Sequence, residues 1–231
     1  MSVILSTYNQ PAWLEKVFWG YGVQTFHDFE IVVADDGSGP ETQALIARYQ
    51  TEMPYPLRHV WHEDKGFRKC TILNRAIEGS RGEYLVFSDG DCVPRADFLQ
   101  VHWGLRSREH FVSGGAARLP MGVSCAIGRA AIESQQAFST GYLNSLGLGR
   151  VKNLKLTRNR LLIHLLNRFT PARPTWNGNN TSWWPRGATM SVWGMAARTG
   201  NWVNASAMRG CAAEGPDTWL YCCIWTTAGG T

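Results

Sequence analysis

Three short runs built almost wholly of apolar residues, Val3-Ile4-Leu5, Ile31-Val32-Val33-Ala34 and Tyr84-Leu85-Val86-Phe87, each run into a polar turn. A strand that is apolar on both faces must be covered on both, and that is how strands of parallel sheets clad in helices read. The intervening segments have the matching helical period. Pro11 suits the first turn of a helix that carries Trp13, Leu14, Val17 and Phe18. Leu45, Ile46 and Tyr49 share one face of residues 40–49, and Ile72, Leu73, Ala76 and Ile77 form a stripe over residues 69–78. Leu57 to Trp61 reads as a further strand. Strand and helix in alternation predict an α/β fold, a mainly parallel sheet with helices on both faces. At 231 residues and 44% hydrophobic content the chain is long enough to close one such core.

In sheets of this kind ligands collect beyond the carboxyl ends of the strands. Three polar turns are expected to meet there: Thr7 to Asn9, Asp35 to Ser38, and Ser88-Asp89-Gly90-Asp91. Asp89 and Asp91 present two hard oxygen ligands one residue apart, suited to a divalent cation shared with a phosphate. Two readings of the pair stand side by side, because Asp-Gly is also an ordinary turn signal and Asp89 can cap a following helix. The neighbouring turns favour the metal. A nucleoside diphosphate needs a cation on its phosphates, acceptors for base and ribose donors, and nearby positive side chains. Asp89 and Asp91 can supply the first, Asp36 the second, and Lys65, Arg68 or Lys69 the third.

The net charge of +5 is unevenly spread, since Glu214 and Asp217 are the only acidic residues after Glu133. A basic second half suits an anionic partner such as phosphate, nucleic acid or an acidic lipid surface, and equally forms a solvated basic face. Residues 151–169 place Leu154, Leu161, Leu162, Leu165, Leu166 and Phe169 on one face among Lys and Arg. That stripe serves core packing or peripheral contact with an anionic membrane. The amino terminus lacks the pattern of a signal peptide and no window approaches a membrane span, so a cytoplasmic protein is expected, with any membrane contact at the inner face. The six cysteines show no CxxC spacing, and neither a zinc site nor a disulfide framework is indicated.

Four ordered motifs carry a resemblance. Ser6-Thr7-Tyr8-Asn9, Val32-Val33-Ala34-Asp35-Asp36-Gly37-Ser38, Glu63-Asp64-Lys65-Gly66-Phe67-Arg68 with Leu73-Asn74-Arg75-Ala76-Ile77, and Gly82 to Pro94 around Asp89 and Asp91 are similar to family 2 glycosyltransferases. The resemblance implies a GT-A (Rossmann-like) fold that binds a nucleotide-sugar donor, here a UDP-sugar, and transfers the sugar with inversion to a glycan or lipid-linked acceptor; no nucleic-acid partner is expected. Carried over residue by residue, Thr7, Asp36, Asp64, Arg68 and Asp89 lie around the donor, and Asp89 and Asp91 hold Mn²⁺ or Mg²⁺. Asp35 caps the following turn, a role it can exchange with Asp36. Trp183 and Trp184, in the similar segment Asn177 to Trp184, either stack on an acceptor sugar ring or pack in a loop. His102 reads as structural.

The chain is thus divided into a glycosyltransferase domain over residues 1–184, with a donor half over 1–118 and an acceptor half over 119–184, and a divergent tail over 185–231. In the tail the resemblance implies a Gly-Gly-Glu-Asp segment with the general base and then a His-rich segment, and neither is present. Cys222-Cys223 and the step from Trp225 to Thr226 read as Leu-Leu and Asp in the shifted frame, so the tail is expected to be translated out of frame. No catalytic base is assigned. A non-catalytic nucleotide-sugar- or glycan-binding remnant is the alternative function.

Overall fold

Strands β1 (Ser2–Thr7), β2 (Glu30–Asp35), β3 (Leu57–Trp61) and β4 (Tyr84–Asp89) run parallel in the computed structural model, which describes residues 1–106, 115–148, 189–191 and 220–224. The helices between them are α1 (Pro11–Gly22), α2 (Pro40–Glu52) and α3 (Lys69–Glu78). Further along come β5 (Cys92–Pro94), α4 (Phe98–Leu105), β6 (Gly115–Leu119), α5 (Met121–Ala126), α6 (Arg129–Glu133) and α7 (Thr140–Ser145), then β7 (Thr189–Ser191) and β8 (Leu220–Ile224). The main sheet has the order β3-β2-β1-β4-β7, all parallel, and a smaller mixed sheet has the order β5-β8-β6.

Alternation along the strands explains why the apolar runs are continuous. Val3, Leu5, Ile31 and Val33 face Leu14, Val17, Phe18 and Ile46 of α1 and α2, whereas Ile4, Val32 and Ala34 face Ile72 and Ala76 of α3. All of these are fully buried, and each large aliphatic side chain so placed contributes about 1.5–3 kcal/mol. The predicted doubly covered parallel sheet is therefore what forms, with its strands and helices in the expected order.

Beyond Leu119, Val123, Ile127, Ile132, Ala137 and Leu143 join the same buried apolar cluster as α1, and polar ties add to it. Lys16 Nζ, on α1, donates to the carbonyls of Ser124 and Ile127, each at 2.7 Å, and so ties the end of α5 to α1. Two segments of the 185–231 tail, β7 and β8, pair with the main and small sheets respectively. Residues 151–169, Trp183 and Trp184 lie outside the described residues.

His102 sits inside the core on α4, fully buried against Phe98 and Tyr84, and burial pushes its imidazole down to about 3. It is structural, as the sequence suggests.

Candidate functional site

Parallel register brings the predicted turns together. Thr7 lies opposite Asp35, and Ser6 opposite Asp89, so β1, β2 and β4 end at one edge. The Asp36 amide donates to the Thr7 carbonyl at 3.1 Å, and the Gly90 amide to the Ser6 carbonyl at 2.7 Å. Glycine is required at position 90: a Cβ there would stand 2.9 Å from the Ser6 carbonyl oxygen and 3.1 Å from Thr7 Oγ1. At the opposite edge the buried Glu30 is satisfied internally, accepting from Ser2 Oγ at 2.7 Å and the Arg81 amide at 2.6 Å.

Asp89 Oδ1 accepts twice, from Ser6 Oγ at 2.7 Å and from Lys69 Nζ at 2.7 Å. It caps no helix, since the residue at the N-cap of α4 is Asp97. Burial, followed by the charge of Asp89, pushes the Asp91 carboxyl up to about 7. Burial pulls the Lys69 ammonium down, but contact with Asp89 outweighs it and the net direction is upward. One ligand atom each from Asp89, Asp91 and Cys92 lie within 4.8 Å of one another. Cys92 is 1% exposed on β5 and its Sγ turns to Asp91 Oδ1 at 3.5 Å. Hard cations take oxygen rather than a buried thiol, so Asp89 and Asp91 are the donors that fit Mg²⁺ or Mn²⁺.

The adjacent carboxylates of the second turn divide their work. Asp35, fully buried, accepts from the Ser38 amide at 2.8 Å and pairs with His59 Nε2 at 2.8 Å. Burial raises its carboxyl, but the His59 and Ser38 bonds prevail and hold it below the usual carboxylate range. Asp35 thus caps the turn. Asp36 pairs through Oδ1 with His62 Nε2 at 2.7 Å and accepts the Arg68 amide on Oδ2 at 3.0 Å. Each oxygen keeps a lone pair for a further donor.

Asp64 is fixed from both sides, accepting the Gly66 amide at 3.0 Å and the Tyr8 hydroxyl at 2.8 Å. Those two bonds, the Gly66 amide first, lower its carboxyl, and the Asp64 bond raises the Tyr8 phenol. Its loop packs on the second turn through Gly37, whose φ of 101° and whose closeness to Asp64 exclude a side chain; a Cβ would lie 2.7 Å from Asp64 Cα. Arg68 turns its guanidinium back to the Glu63 carbonyl, and Lys65 pairs with Glu63 at 3.0 Å on the exposed surface.

Thr7, Asp36, Asp64, Arg68, Asp89 and Asp91 thus share one sheet edge. The Thr7 Oγ1 atom is buried without a hydrogen-bond partner. Ser6 and Tyr8, named in the sequence only as members of a motif, and His62, which no motif included, join the site. Ser6 was signalled by register alone, since it alternates with Thr7 and therefore faces Asp89. Tyr8 and His62 reach Asp64 and Asp36 across 56 and 26 residues, which no local period reports.

The model of the family described as Glycosyl transferase family 2 matches residues 2–118, half of the chain. Among similar proteins, validoxylamine A glucosyltransferase of Streptomyces hygroscopicus subsp. jinggangensis is 29% identical over 102 residues, 43% of this chain and 24% of that protein. Among solved structures, S. aureus TarS in complex with UDP-GlcNAc is 28% identical with a TM-score of 0.34, covering 39% of this chain and 26% of that one. The mannosyltransferase PcManGT from Pyrobaculum calidifontis, in complex with GDP-Man and Mn²⁺, is 29% identical with a TM-score of 0.35, covering 39% and 27%. The chain spans about a quarter of the length of these proteins.

Proposed function

Because this chain belongs to glycosyl transferase family 2, we propose that it transfers a sugar from a nucleoside diphosphate donor, UDP in the first place, to a glycan or lipid-linked acceptor with inversion. One observation carries the proposal: the carboxylates of Asp36, Asp64, Asp89 and Asp91 and the ammonium of Lys69 gather at a single sheet edge.

Asp89 and Asp91 would hold Mg²⁺ or Mn²⁺, which when bound supplies Lewis-acid stabilisation of the charge developing on the departing diphosphate. Asp36, oriented by His62 and the Arg68 amide, accepts a hydrogen bond from the base or ribose. Asp64, held by Tyr8 and Gly66, borders the nucleoside. Trp183 and Trp184 are proposed for the acceptor side, and residues 151–169 for contact with the inner membrane face of a cytoplasmic protein. The test is a panel of nucleotide sugars with Mn²⁺ or Mg²⁺, read by thermal shift and by release of nucleoside diphosphate. A stabilising, metal-dependent shift that Asp91→Ala abolishes is expected; no shift with any donor rejects the proposal.

A second reading, a donor-binding protein without turnover, is favoured by the scarcity of carboxylates after Trp184, where Glu214 and Asp217 are the only two. Inversion needs a carboxylate to take the acceptor proton, a contribution of about 10²- to 10⁴-fold. Thermal shift without nucleoside diphosphate release selects this second reading.

A further inference from the structure

Lys69 is the first residue of α3, so the helix fixes its backbone while its side chain spans to the end of β4. Its ammonium touches Asp89 at 2.7 Å, with side chains 22% and 32% exposed, and the contact is open to an incoming ligand. The other cations of this loop are engaged elsewhere, Lys65 with Glu63 on the surface and Arg68 with its own loop carbonyl. An ammonium has three donors, and the Asp89 contact uses one.

Charge decides what this arrangement favours. Ionised Asp89 and Asp91 carry two negative charges, and Lys69 offsets one. A divalent cation arriving alone meets a positive group already seated on one of its carboxylates. Arriving with a diphosphate, the cation brings anionic oxygens that give the ammonium a second and stronger set of acceptors. Building on the donor-site reading above, we propose that Lys69 is a diphosphate-binding residue that passes from Asp89 to the nucleotide, so that cation and nucleotide bind as a pair and not cation first.

The experiment is calorimetric titration of the full chain and of Lys69→Met and Lys69→Arg, with three probes: Mn²⁺ alone, UDP or GDP in EDTA, and the nucleotide with Mn²⁺. Unfolding curves establish that each variant is folded. Expected for the unmodified chain is Mn²⁺ affinity at least about tenfold higher with nucleotide present, the scale of one charge-assisted hydrogen bond. Lys69→Met is expected to bind Mn²⁺ alone several-fold more tightly and nucleotide in EDTA about tenfold or more weakly. Lys69→Arg, which keeps the charge, is expected to retain the metal-free affinity. If Lys69→Met binds nucleotide in EDTA as the unmodified chain does, or if Lys69→Arg loses as much as Lys69→Met, the role of Lys69 is overturned and the donor site stands. Should the unmodified chain bind neither UDP nor GDP with Mn²⁺, the donor site falls and the role of Lys69 with it.

Discussion

His102 Nδ1 and the Tyr84 hydroxyl face each other at 3.2 Å inside the core. The imidazole is held neutral there, its value displaced by burial from 6.5 to about 3. The unfolded chain takes up a proton below about pH 6.5 and the folded chain does not, so this group stabilises the fold above that pH and the contribution fades as the pH falls toward 3. Chemical denaturation between pH 7.5 and 4.5 is expected to show a loss approaching about 1.4 kcal/mol per unit below pH 6 from this residue. His102→Gln should flatten that slope; an unchanged slope assigns the acid sensitivity elsewhere.

Asp91 has the opposite sign. Its carboxyl is raised from 3.8 to about 7 by burial and by Asp89, so stability falls as the pH rises from about 4 to about 7 and the loss is complete above that. Asp91→Asn is therefore expected to raise the metal-free folding stability at pH 8 by about a few kcal/mol at most, and to make little difference only below about pH 4, where the carboxyl is protonated in folded and unfolded chains alike. The same variant should lose the metal-dependent shift with nucleotide. Stability that is equal to the unmodified chain at pH 8 would show that the ionised carboxylate is not strained.

The pairing of His62 with Asp36 yields a third expectation. Truncation to His62→Ala removes the donor that orients Asp36 and should weaken nucleotide binding about tenfold, the scale of a hydrogen bond to a charged group. Calorimetry on His62→Gln, whose amide also donates, should recover most of it. Equal losses in both variants would point to packing instead of orientation of the carboxylate.

The tail carries the fourth. Reading the gene in the shifted frame over codons 185–231 is expected to give an acidic segment and then a segment containing histidine. Early stop codons, or a shifted frame without carboxylates, would reject this account of the tail.

Much of residues 1–118 was legible because its rules are local. Continuous apolar runs such as Ile31 to Ala34 demand cover on both faces, and both faces are covered. The neighbouring residues Asp35 and Asp36 were open to exchange on sequence, and burial with tertiary pairing separates them: Asp35 holds the Ser38 amide and Asp36 the Arg68 amide. The segment after Leu119 was not legible. Helices of five and six residues, α5 to α7, are too short to establish a 3.6-residue period, and the lysine that ties α5 down lies more than a hundred residues earlier. The pairing of β8 with β5 and β6 is likewise a long-range choice.

The amide of Gly90 is bonded to the carbonyl of Ser6, a residue of the central strand. The turn bearing Asp89 and Asp91 is thereby an extension of the sheet's own ladder, and its order is secured when the core folds. A ligand docking there has little chain entropy to quench. Amide exchange at Gly90 should accordingly track global unfolding, slow before any ligand is added and little slower afterwards.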